Sequence, residues 1–355
     1  MKIFYMINNP YTFPNPYIST ILDGMKHQYD DVVFGYGFEL FLSDDIFQFD
    51  VIHIHWPDAI VSYYSGTNIV ETFRNRLLEL KKRNVCIIVT CHNFQPHYCD
   101  NPLCEVCYSI VYGLSDVMIH LGKYSKVVME KKYPQTKHIL IYHHTYDAIY
   151  SLKDRDDSLK KLKLNPHKRY ILCFGEFRDE EERELVDIVA KHFYKNNIEI
   201  LAPRYFELIK RRNIIVTFWN WLKIKTKELL RPGLHIYGWY ISDEMLPFFY
   251  AASDVSLIQR KKILNSGSLP MGFFMSKVVV GPDVGNVGEL LKETGNPTFS
   301  IDSFNSLINA LEKAFALYAS GKGEENKQIA NRLFLTSVIC AKLHKVYEDA
   351  CRCRI

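Results

Sequence analysis

Two successive series of short apolar runs alternating with longer helical patterns constrain this chain more than any other feature. The first series runs KIFYMI, a helix from Ser19 to His27, VVFGYG, VIHIH, a helix from Ile69 to Arg83, CIIVT, a helix from Leu103 to Leu114, DVMIHLG and HILIYHH. Strands that read as continuous apolar runs are buried on both faces, and strands separated by helices form parallel sheets covered on both sides. After Tyr146 the pattern stops in the charged stretch SLKDRDDSLKKLKLNPHK. A second series then starts with YILCFG and continues through a helix from Glu180 to Tyr194, IEILAP, LHIYGWY, a helix from Asp243 to Ala252, DVSLI, a helix from Gly267 to Met275, KVVVGP and a helix from Asn305 to Ala319.

The 355 residues exceed what one hydrophobic core usually serves. The expected fold is therefore α/β, with two Rossmann-like doubly wound domains facing each other across a cleft. Residues 1–146 form the first domain, 147–168 a linker, 169–335 the second domain, and 336–355 a last helix returning toward the first domain. In such sheets ligands sit at the carboxyl ends of the strands, so function is expected in the strand-to-helix loops.

A net charge of +4 is too small to argue for nucleic acid, and no nucleic-acid partner is expected. No apolar run approaches the roughly 18 to 20 residues that span a bilayer, and MKIFYMINNPYTF lacks the features of a signal peptide. A cytoplasmic location is the expectation. Thiols there stay reduced, so the nine cysteines imply no disulfide framework. Cys99, Cys104 and Cys107, with Cys91, His92 and His97 upstream, are candidates for a zinc site, but only Cys104 and Cys107 make a closely spaced pair. No metal or other cofactor is expected.

In the second series, ILNSGSLPMGFF places Asn265, Ser266, Gly267 and Ser268 between a strand end and a helix. Ser and Asn there cap free N–H groups, Gly267 admits a close ligand, and the helix start favours an anion, with a diphosphate the first choice. Any capped helix would look similar. In FGEFRDEEERELV, Arg178 offers a planar fork of donors to the same anion, or pairs with the acids Asp179 to Glu182. In GPDVGNVGELL, Gly285 and Gly288 make a tight turn before Glu289 opens a helix; Glu289 accepts ribose hydroxyls or simply favours its helix N-terminus.

The ordered set FGxxR, HIYGWYISDEMLPFFYAASDVSLI, LNSGS and VVVGPDVGNVGE resembles the C-terminal half of group 1, or family 4, glycosyltransferases with the GT-B fold. NPYIST, DVIHIHWPD, VTCHNFQPH and SDVMIHLGKYS resemble their first half. The resemblance implies transfer of a sugar from a UDP or GDP sugar to a glycan or lipid-linked acceptor, with retention, in bacterial surface polysaccharide synthesis. Two departures stand out. The usual Glu, seven residues, Glu pattern falls on Ile263 and Met271, which leaves Glu289 as the substitute ribose ligand; and the usual Lys three residues after the Arg is Glu181. Lys261 and Lys262 are the nearest replacement cations, although a solvated basic turn accounts for them equally well. Rival readings are a nucleotide-sugar epimerase or hydrolase of the same fold, and a non-catalytic sugar-binding scaffold.

On the acceptor side, His55, Trp56 and Asp58 end VIHIH, while His92, Asn93 and His97 follow CIIVT; Asn15 and Tyr17 lie in the NPYIST segment. Alternation points His53 and His55 the same way, so at least one reads as an interior histidine. By resemblance, His92 matches the histidine beside the transferred sugar and is the first catalytic candidate together with Arg178. An inverting enzyme would need a base, for which His92, Asp58 or Asp100 would serve. Residues 208–231, LIKRRNIIVTFWNWLKIKTKELLR, interleave cations with aromatics and suit an anionic membrane surface, giving a peripheral location on the inner face of the cell membrane.

Overall fold

The computed structural model describes all residues except 13–14, 65–67, 97–100, 207–218, 220–221, 223, 228, 238–240, 242–243 and 353–355. The chain divides into two compact units, one of Met1–His144 with Leu333–Ile355 and one of Thr145–Arg332.

The first unit holds β1 (Lys2–Tyr5), α1 (Tyr17–Gln28), β2 (Val33–Tyr36), α2 (Phe38–Leu42), β3 (Val51–Ile54), α3 (Ala59–Tyr63), α4 (Ile69–Lys82), β4 (Cys86–Cys91), α5 (Leu103–Leu114), β5 (Val117–His120), α6 (Lys123–Lys132) and β6 (Lys137–Leu140). Its six described strands are all parallel in the order β2-β1-β3-β4-β5-β6. β3 and β5 are buried along their whole length, as strands covered on both faces must be. The chain moves outward from β1 to β2 and then returns to the other side of β1 for β3. The sheet's topological switch point therefore lies between the loops that follow β1 and β3.

The second unit holds α7 (Arg155–Leu162), β7 (Arg169–Leu172), α8 (Glu180–Phe193), β8 (Ile198–Ala202), β9 (Leu234–Ile236), α9 (Leu246–Ala252), β10 (Val255–Leu257), α10 (Ser268–Phe274), β11 (Val278–Pro282), α11 (Gly285–Glu293), β12 (Thr298–Phe299), α12 (Phe304–Ala319) and α13 (Lys322–Leu333). Its six described strands are again parallel, in the order β12-β11-β10-β7-β8-β9. Read from β9 this is the 3-2-1-4-5-6 arrangement of a dinucleotide-binding sheet, with its switch point between the loops after β7 and β10. α8 shows why these segments fold where they do. Asp179 caps it by accepting a hydrogen bond from the Glu182 amide at 2.9 Å, three glutamates occupy the first turn, and Lys191 and His192 the last, matching the helix dipole at both ends. Leu185, Val186, Val189, Ala190 and Phe193 form its buried stripe.

Residues 147–168, expected as a linker, carry a helix. Asp154 caps α7 through the Asp157 amide, Lys163 ends it in the left-handed conformation (φ 56°), and Leu159 and Leu162 enter a core of the second unit. The chain returns to the first unit through α14 (Thr336–Arg352), which packs on α1. Gly24 permits that close approach: a Cβ there would stand 2.9 Å from the Cys340 sulfur.

Cys104 is disulfide-bonded, against the expectation of reduced thiols, so its sulfur is not a free thiolate for zinc. Cys99 and His97 of that zinc reading lie outside the described residues. Among the described residues no group of three or more His, Cys, Asp or Glu is arranged to hold a metal ion, and no helix is long and apolar enough to cross a membrane.

Candidate active site

Each unit gathers chemistry-bearing side chains at the carboxyl ends of its strands. In the first unit the parallel register carries His53 out along β3, with His55 just beyond that strand and His92 just beyond β4. His53 is fully buried, with Nδ1 2.7 Å from the Tyr347 hydroxyl of α14 and Nε2 2.8 Å from Thr90 Oγ1. Tyr347 in turn is 2.6 Å from the Tyr5 hydroxyl. This is the interior histidine anticipated from alternation, and burial pushes its pKa down to about 3.

His55 lies against it, with ring centroids 4.2 Å apart, and its Nδ1 is 3.0 Å from His92 Nε2. His55 is only 2% exposed and stacks on Tyr5, so it stands behind His92 rather than on the surface. Burial first, and the two neighbouring imidazoles second, hold it far below the usual histidine range, and it shares one hydrogen bond with His92. His92 is half-buried, between the stacked Trp56 ring at 4.9 Å and the edge of Tyr17 at 5.0 Å.

Tyr17 is buried at the start of α1, and Asn15 accepts its backbone N–H at 3.0 Å, turning the chain into the helix. Asp58 is half-buried with a buried Oδ1 that has no hydrogen-bond partner among the described residues; burial raises its pKa. Asn93 is 8% exposed, and its carbonyl accepts the Tyr112 hydroxyl. The structure thus brings Tyr17, His55, Trp56 and His92 together around the switch point. His97 and Asp100 lie outside the described residues. His144 joins the cluster without having been singled out from sequence: it stacks on Tyr17 at 4.9 Å and its Nε2 meets the Tyr17 carbonyl at 3.1 Å.

In the second unit the buried Glu182 carboxylate ties the two switch-point loops together. It accepts the Arg178 N–H at 3.1 Å and Arg260 Nε at 3.2 Å, while Arg260 Nη2 donates to the Glu176 carbonyl at 2.7 Å. Arg178 is thereby held by its backbone at the switch point. Lys261 pairs with Glu181 at 3.6 Å, and Lys262 is exposed.

The NSGS segment is built differently from expectation. The cap of α10 is Gly267, with no side-chain cap hydrogen bond. Ser268 donates to the Phe174 carbonyl at 3.1 Å, and Asn265 Oδ1 accepts Asn286 Nδ2 at 2.7 Å, so one side chain fastens this segment to the loop after β7 and the other to the first turn of α11, instead of capping the helix. Ser266 is half-buried, and its carbonyl accepts the Leu269 N–H.

Glu289 does not open a helix. α11 begins at Gly285, four residues earlier, because Gly285 adopts φ 59° with its α-carbon pressed on the preceding loop: a Cβ there would stand 2.8 Å from the Ile263 carbonyl oxygen. Arg204 was missed from sequence, because ILAPR reads as a strand ending in a turn. Its guanidinium lies 4.6 Å above the Phe174 ring, beside the same loop.

No family model matches the chain, and no curated protein matches it. Solved structures do. Sucrose-phosphate synthase from Thermosynechococcus elongatus superposes with a TM-score of 0.70 at 12% identity, covering 98% of each chain. Anabaena HepE in complex with UDP-glucose gives 0.69 at 12% identity, over 98% of this chain and 100% of that one. A glycosyltransferase from Rickettsia africae gives 0.64 at 13% identity, over 98% of each. Together with the two parallel sheets, these likenesses establish the GT-B fold.

Proposed function

We propose that the chain is a glycosyltransferase that takes a sugar from a UDP- or GDP-linked donor and passes it, with retention, to a glycan or lipid-linked glycan in bacterial surface polysaccharide assembly. The observation that carries this reading is the switch point of the second unit, where a 3-2-1-4-5-6 sheet sends out the loop that carries Arg178 and the loop that carries Asn265–Ser268, the two joined by the Ser268 hydroxyl on the Phe174 carbonyl, under a glycine-tight α11 start. HepE, of the same fold, has been solved with UDP and with UDP-glucose.

In this reading charge grows on the departing diphosphate as the glycosidic bond breaks, and Arg178 with the polar groups around it stabilises that charge in place. His92 orients the sugar or acceptor hydroxyl, its own orientation fixed by His55 behind and Trp56 alongside. The nucleotide sugar is a substrate, and no metal takes part.

Titration calorimetry tests this. UDP or GDP is expected to bind, Arg178→Ala to abolish that binding and to lower turnover by about a hundredfold or more, and the product to keep the donor's anomeric configuration by NMR. Failure of UDP, GDP, ADP and CMP all to bind would leave the scaffold reading in its place.

A lipid-linked acceptor accords with the surface of residues 219–230. Trp219, Leu222, Leu229 and Leu230 are 62%, 38%, 83% and 63% exposed, with the exposed Lys225 among them, while Lys227 turns inward to pair with Asp187 at 2.7 Å; much of the surrounding 208–231 segment, Trp221 and Lys223 included, lies outside the described residues. Co-sedimentation with anionic phosphatidylglycerol vesicles is expected at low salt, and Leu229→Asp with Leu230→Asp should reduce it severalfold. Equal sedimentation of the double variant would remove this surface from the proposal.

A further inference from the structure

Resting on the reading of the second unit's switch point as a nucleotide diphosphate site, we infer that Arg204 is a diphosphate-binding residue and supplies the second cation that the site needs beside Arg178. Arg204 sits two residues beyond β8, the strand next to β7, so its loop borders the one that carries Arg178. Its guanidinium carbon lies 4.6 Å above the Phe174 ring, and the Phe174 carbonyl accepts the Ser268 hydroxyl at 3.1 Å. The loops after β7, β8 and β10 therefore meet at a single residue.

Stacking uses only the face of a guanidinium. The N–H donors point outward in its plane, where they suit a phosphate in bidentate geometry. Among the described residues Arg204 makes no side-chain hydrogen bond or ion pair with the protein.

Arg183, Arg260 and Lys261 are engaged differently. Arg183 donates to the carbonyls of Phe177, Asp179 and Tyr205; Arg260 donates to Glu182 and to the Glu176 carbonyl; and Lys261 pairs with Glu181. Position 181 itself is acidic and supplies no cation three residues after Arg178. A half-buried guanidinium held in place by an aromatic ring, with its donors unused, is suited to an anion that arrives with the ligand.

The test compares nucleoside diphosphates with monophosphates. Wild-type protein is titrated with UDP and UMP, and with GDP and GMP, alongside Arg204→Gln and Arg204→Lys. Gln keeps a planar side chain on Phe174 without charge, and thermal melts confirm that each variant is folded. Arg204→Gln is expected to weaken the diphosphate by about tenfold while changing the monophosphate by less than about twofold, with Lys intermediate as a point charge. An unchanged ratio of diphosphate to monophosphate affinity in Arg204→Gln overturns the role of Arg204 while leaving the switch-point reading intact. If the wild-type protein binds no nucleotide, or does not distinguish diphosphate from monophosphate, the reading and the role of Arg204 fall together, and that result appears before any variant is made.

Discussion

Acidification from pH 7 to pH 5 is expected to unfold the unit formed by residues 1–144 and 333–355 while the other unit stays folded. His53, His55, His120 and His144 are all at most 2% exposed. Burial holds His53 and His120 at about 3, and His55 and His144 well below the usual histidine value. Their folded-state values thus lie below the unfolded value of about 6.5. The unfolded chain binds more protons than the native one as pH falls through 6.5, so stability is fully present above that value and is lost below it. A histidine held at about 3 withdraws about 2 kcal/mol between pH 7 and pH 5, so His53 and His120 together withdraw about 4 kcal/mol and His55 and His144 act in the same direction, against a total of about 5 to 15 kcal/mol for a typical domain. Hydrogen exchange resolved by peptide is the check: strands β3 to β5 should lose protection at pH 5. Protection at pH 5 equal to that at pH 7, after correction for intrinsic exchange rates, would show that these histidines do not control the unit's stability.

Replacing Gly285 with Val is expected to lower stability and nucleotide binding together. The residue adopts φ 59°, where a non-glycine side chain costs about 1 to 3 kcal/mol, more for a β-branched one. A Cβ would also stand 2.8 Å from the Ile263 carbonyl oxygen and 3.1 Å from Leu264 backbone atoms. No side chain can swing aside there; the backbone must move, and it is the backbone that carries Asn265 to Ser268. That same backbone is pinned from the other side, since the Asn286 N–H donates to the Leu264 carbonyl at 3.0 Å. A loss of roughly 3 kcal/mol in stability and about tenfold in UDP or GDP affinity should follow. A Gly285→Val protein with wild-type melting temperature and affinity would mean that this contact does not set the loop.

The order of strands and helices was legible because burial on two faces leaves a sequence few options. VIHIH, CIIVT and KVVVGP can only be interior parallel strands, and each lies where its apolar run lies. Loops offer no such repetition. Asn265 and Ser268 have the chemistry of helix caps, yet one is engaged by the first turn of α11 and the other by the loop after β7, a choice made by tertiary neighbours that local sequence does not encode. Glu289 was assigned to a helix start because two glycines precede it, whereas the first of them already begins the helix. Asp154 shows the opposite failure: charge alone suggested a linker at 147–168, and a capping carboxylate followed by two leucines at helical spacing was the signal passed over. Arg204 could not be found from pattern, because what marks it is a ring thirty residues earlier in the chain.

The return of α14 to the first unit bears on how the molecule is made. During synthesis every residue of the second unit leaves the ribosome before the last partner of His53 does, since Tyr347 follows it by 294 positions. Until then the first unit has its sheet residues but neither the tyrosine that joins His53 to Tyr5 nor the helix that covers α1. Its completion therefore comes after that of the unit inserted within it, and loss of the final seventeen-residue helix removes a structural element from the beginning of the protein, not from its end.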